Sequence, residues 1–81
     1  MKRSYFVALA FIRDEDDTVP GDAVECPNEM DAALRAQGLS HTPGNVGAVA
    51  YSRTESDVGV FSEAVIIKKF GDVPTDLRML F

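Results

Sequence analysis

The sequence predicts a two-layer α+β fold of order β-α-β-β, with one main helix packed on a three-stranded mixed or antiparallel sheet. Three observations carry this reading. Residues 4–13 form an apolar run with period-two character, residues 27–39 carry a capped helical pattern, and residues 46–53 and 58–70 are two extended segments joined by a short polar turn.

In the first strand, Tyr5, Val7, Leu9 and Phe11 occupy one face and Phe6, Ala8, Ala10 and Ile12 the other. The first set is bulky and suits a main core. The second is small at its centre, as if another element packs closely there. A strand apolar on both faces is expected to be central in its sheet or covered by a second subunit.

Residues 14–26 read as a long connection, with turn chemistry at Thr18-Val19-Pro20-Gly21-Asp22. Connections of this length in compact domains are often functional. The helix follows, with its start at Pro27 or Asn28 and with Glu29 and Asp31 at the positive end of its dipole. Met30, Ala33, Leu34 and Gln37 make its expected buried stripe. Gly38 stands where a left-handed cap residue belongs, and Leu39 where a Schellman motif packs back on Leu34.

Residues 40–45 are a loop, and the second strand runs from Val46 to Arg53. Val46, Ala48 and Ala50 form a small face suited to lie under the helix. Thr54 to Asp57 is a polar turn. The third strand is expected from about Val58 to Phe70, with its centre covered on both faces. Glu63 and Ser62 interrupt its two apolar parities, which predicts a bulge near Ser62-Glu63. Gly71-Asp72-Val73-Pro74 ends it. Thr75-Asp76 suits the cap of a short C-terminal helical turn presenting Leu77, Leu80 and Phe81. Were the first two strands parallel neighbours, their crossover would be right-handed.

Eighty-one residues suit one small domain, 1–81, with a thin stability margin. Cys26 is the only cysteine, so no disulfide can form within one chain, and with His41 it gives too few soft ligands for structural zinc. Association with a second copy is the remaining aid, and a homodimer is expected. No cofactor and no metal are expected.

The net charge is −5, which argues against nonspecific nucleic-acid binding. Eight of the thirteen acids (Asp14, Glu15, Asp16, Asp17, Asp22, Glu25, Glu29 and Asp31) lie in one stretch that contains no Lys or Arg. Only four residues separate Arg3 from the cleavage-like Ala8-Leu9-Ala10, too few for the roughly 7–15-residue hydrophobic region of a signal peptide. No segment approaches the roughly 20 apolar residues of a membrane span. A cytoplasmic protein without membrane or nucleic-acid partners is the expectation.

Each chemical candidate has a plainer reading. Asp14, Asp16, Thr18, Asp22 and Glu25 fall at the donor spacing of a calcium loop, but Val19 stands at the glycine position and Pro20 follows it. Cys26 at a helix start could act as a nucleophile with His41 as its base, yet two acids, Glu25 and Glu29, flank it. Tyr51, Arg53, Lys68 and Lys69 make a small basic-aromatic patch, which edge-protecting charges explain equally well. The sequence therefore points to a non-enzymatic interaction or regulatory module. Its interaction candidates are Asp14, Glu15, Asp16, Asp17, Leu77, Leu80 and Phe81, with a protein partner at the acidic loop. The alternative is a small enzyme or ligand-binding protein with a site at the dimer seam, using Cys26, His41, Tyr51 or Arg53.

Overall fold

The computed structural model describes residues 3–74. The chain runs β1 (Arg3–Asp14), β2 (Asp17–Cys26), α1 (Glu29–Ser40), β3 (Asn45–Glu55) and β4 (Val65–Gly71). The four strands form one antiparallel sheet in the order β2-β1-β3-β4, so β2 and β4 are its edges. The terminal helical turn expected at Thr75–Phe81 lies outside the described residues, as do Leu77, Leu80 and Phe81.

The α+β class and the single covering helix agree with the sequence, but the sheet has four strands instead of three and the order is ββαββ. The extra strand is the acidic segment, whose Pro, Gly and acids have the composition of a loop. β1 is 12 residues long and needs partners on both sides. The chain reverses at Glu15-Asp16, with Asp14 paired to Asp17 and Glu15 in the left-handed region at φ 55°. β2 then returns along β1. Its acids, Pro20 and Gly21 are admissible because an edge strand has one free flank. This added reversal makes β1 and β3 antiparallel neighbours instead of a parallel pair with a crossover.

Asn28 caps α1, its side-chain Oδ1 accepting from the Asp31 backbone N–H at 2.8 Å. Gly38 lies inside the helix and is not its left-handed cap. The last turn tightens instead, with His41 N–H donating to the Gly38 carbonyl. Side chains add to these bonds: Thr42 Oγ1 also donates to Gly38 O at 3.0 Å, Asn45 Nδ2 to Leu39 O at 2.9 Å, and Ser40 Oγ to Gln37 O at 2.6 Å.

The helix also presents a different stripe from the one expected. Ala32 and Ala36 are fully buried, whereas Met30 and Leu34 are exposed. The two alanines meet Ala8, Ala48 and Ala50, with Phe6, Cys26, Leu39, Ile67 and Phe70 around them. The small sheet faces read from the sequence thus do lie under the helix, and small residues on both sides set the close approach. Ala36→Leu would force extra methylenes into that contact. Its urea midpoint is expected to fall by the equivalent of about 1–3 kcal/mol; an unchanged midpoint would contradict the tight interface.

On the opposite face Leu9, Phe11 and Val49 form a second buried cluster, flanked by Val46, Tyr51 and Val73. Val46 reaches this face because the β1–β3 register slips between Phe11 and Ile12, leaving it as the extra residue.

β4 begins at Val65, not Val58. Residues before it form a small hairpin off the end of β3, closed by Ser56 N–H to Val60 O at 2.8 Å and Ser62 N–H to Thr54 O at 2.8 Å. The bulge lies at Ile67, not at Ser62-Glu63: Lys68 faces Ala50 while Ile66 faces Tyr51. Ile67 and Phe70 are three apart and both pack on the helix side, which only an extra residue permits. As an edge strand, β4 is not covered throughout, and Val65 and Ile66 are exposed.

Candidate functional site

The most organised surface feature is built where β1 begins and β3 ends. Arg3 pairs with Glu55 and Tyr5 with Arg53 across the two strands. Beyond them the hairpin turns at Ser56-Asp57-Val58-Gly59, with Gly59 N–H donating to Ser56 O at 3.0 Å and Gly59 at φ 80°. A glycine tolerates that conformation without strain. The turn brings Phe61 back beside Tyr5, their ring centroids 5.7 Å apart and tilted by 45°.

Two guanidinium groups complete the stack. Arg3 lies over the Tyr5 ring at 4.9 Å and Arg53 over the Phe61 ring at 5.0 Å. The order is therefore Arg3, Tyr5, Phe61, Arg53. Tyr5 also donates its hydroxyl to Glu55 Oε2 at 2.9 Å, and this bond raises the Tyr5 pKa above its usual value. Ser62 Oγ accepts from the Thr54 backbone N–H at 3.0 Å and pins the returning strand.

The tip held by these contacts is apolar. Val58 is 84% exposed, Val60 62% and Phe61 46%. Three apolar residues exposed together on one ordered turn make it a candidate contact surface. The sequence reading missed Tyr5, Val58, Val60 and Phe61 as site residues because it took them for strand interior. The signal was the glycine two residues after Asp57, which marks a hairpin turn.

The sequence candidates are spread over the molecule. Asp14, Glu15, Asp16 and Asp17 form the β1–β2 turn, at the opposite end of β1 from the apolar tip. A 12-residue strand separates the two ends by about 40 Å. Cys26 is half-buried on the helix side of the sheet, its Sγ 3.6 Å from Val24 O. His41 is exposed at the far end of α1, and a 12-residue helix is about 18 Å long. Tyr51 lies in the cluster on the other face, where burial raises its pKa. The chain thus separates Cys26, His41 and Tyr51, while it joins Arg53 to Phe61.

A shallow groove of about 560 Å³ follows the flank of α1 above β2, with Val24, Cys26, Asp31, Leu34 and Leu39 among its lining. Among the described residues no three His, Cys, Asp or Glu side chains converge to hold a metal ion. No described helix is long and apolar enough to cross a membrane. Comparison with known protein families, curated proteins and solved structures finds no match.

Proposed function

We propose that the chain is a cytoplasmic, non-enzymatic interaction module that self-associates, a homodimer being its smallest assembly, and that meets a protein partner through the apolar hairpin tip. The observation that carries this reading is the tip itself: Val58, Val60 and Phe61 are exposed, yet the backbone beneath them is fixed by a network of hydrogen bonds. A pre-ordered turn loses little conformational entropy on docking. Arg3 and Arg53 border the tip and can pair with carboxylates on the partner. The acidic turn Asp14–Asp17 supplies a second, electrostatic contact at the far end.

A photo-crosslinking residue in place of Val58 tests this in cells. A discrete adduct that disappears in a Phe61→Ser background is the expected result. Absence of any adduct, or an adduct that persists unchanged in Phe61→Ser, would overturn the reading. The alternative of an enzyme or ligand binder with a site at a dimer seam has less support. Cys26 and Tyr51 lie on opposite faces of the sheet, and α1 stands between Cys26 and His41.

A further inference from the structure

We propose that copies of this chain join side by side, the β4 edge of one adding to the β2 edge of the next, in a salt-sensitive head-to-tail contact. The proposal rests on the self-association in the preceding reading and names its surfaces.

Among the described residues both edge strands have an unpaired flank, and an unpaired flank offers N–H and C=O groups to an incoming strand. Because neighbouring strands alternate in direction, β2 and β4 run oppositely. A second copy placed alongside in the same orientation therefore presents β4 antiparallel to β2, with both helices on one side. Four strands span about 19 Å, while a helix with its side chains is about 10–12 Å across, so adjacent helices do not collide.

The groove beside β2 gives this edge a receptor-like form. α1 packs chiefly over β1 and β3 and only lightly over β2, so the helix-side surface next to the edge is left open. Leu34, 60% exposed, lines that opening, and Met30, 73% exposed, stands one turn before it on the same flank. These are two of the residues whose helical spacing marks them for burial. A fifth strand beside β2 would meet Leu34 and extend the sheet beneath it, the strand-beside-helix mode of peptide recognition. Pro20, which has no N–H, and the irregular register between Leu9 and Phe11 confine pairing to the half of β2 beside the groove.

Charge selects the occupant. Asp22 and Glu25 stand on β2, and Asp31 lines the groove together with one base, Arg35, so the acids outnumber the base along this edge. β4 reads Val-Ile-Ile-Lys-Lys-Phe-Gly, apolar and basic with no acid. Lys69 is opposite Val49 and so lies on the open face, as does Glu25 opposite Val7. Lys68 lies on the helix side, over the Phe70 ring at 5.5 Å, on the same side as Asp31. Two-fold pairing would instead set acids against acids at β2–β2 or lysines against lysines at β4–β4.

Sedimentation velocity across concentration tests the contact. Wild-type mass is expected to rise with concentration at low ionic strength and return to the monomer in molar salt. Lys68→Glu/Lys69→Glu and Asp22→Lys/Glu25→Lys should each remain monomeric, and an equimolar mixture of the two should reassociate, since each then offers the edge the other lacks. All four positions are exposed, and unchanged circular dichroism of each variant would confirm folding. A wild type that stays monomeric, variants that still assemble alone, or a mixture that stays monomeric would overturn the proposal. None of these outcomes alters the Val58 adduct, whose readout uses neither edge.

Discussion

Phe11→Ala is expected to lower the unfolding free energy by about 3–5 kcal/mol, the usual cost of emptying a fully buried aromatic site. Phe11 is wholly buried and packs with Leu9 and Val49 on the sheet face away from the helix. Domains have roughly 5–15 kcal/mol of total stability, and a small one stands near the bottom of that range. The variant should therefore be largely unfolded at physiological temperature. Phe61→Ala is the informative partner. Phe61 is about half exposed at the tip, so its removal should move a urea midpoint far less. Equal losses for the two phenylalanines would mean that the second cluster is not a core.

The contrast between these two phenylalanines also shows which parts of the fold were legible in the sequence. Phe11 sits in a period-two run, and such a run in a long strand reports its faces directly. The alanine faces at Ala8 and at Ala48-Ala50 were legible for the same reason, since small residues in register predict a close neighbour. β2 was hidden because the residues that fill it are those that usually mark loops. Its identity as a strand comes from the free edge of β1, which is a property of the sheet and not of residues 17–26. The stripe on α1 failed for a related reason: helical periodicity found Met30 and Leu34, but close packing on alanines favoured Ala32 and Ala36. Phe61 misled because a hairpin tip and a strand interior can share one composition, and only the position of Gly59 separates them. Of the candidate site, Arg53 was legible as a chemical residue. Its stacking partner was not, because eight residues lie between Arg53 and Ser62, where the returning chain accepts from its Nε at 3.4 Å.

Gly47→Ala is expected to be nearly as damaging as Phe11→Ala, although it adds only one methyl group. Gly47 is buried in β3 directly opposite Gly71 of β4. A Cβ at Gly47 would overlap the Asp72 carbonyl oxygen and lie 2.7 Å from its carbonyl carbon. The obstacle is backbone, so no side-chain rotation relieves it. Asp72 must move, and its N–H would leave the Val46 carbonyl, to which it donates at 2.9 Å. The Arg13–Asp72 ion pair would open too, though an exposed pair contributes little. The larger consequence passes through Val73, which packs on the Phe11 cluster and would be drawn away with Asp72. A loss of about 3 kcal/mol is expected, at the upper end for overpacking. The same substitution at Gly38 should have the opposite sign. A Cβ there meets nothing within 4 Å and the residue is helical, so Gly38→Ala should stabilise by about 0.5–1 kcal/mol. Hydrogen exchange adds a local readout, with the Asp72 amide losing protection in Gly47→Ala while the amides of α1 keep theirs relative to global stability. If Gly47→Ala and Gly38→Ala shifted stability in the same direction, the close crossing of β3 and the end of β4 would not be what fixes glycine at position 47.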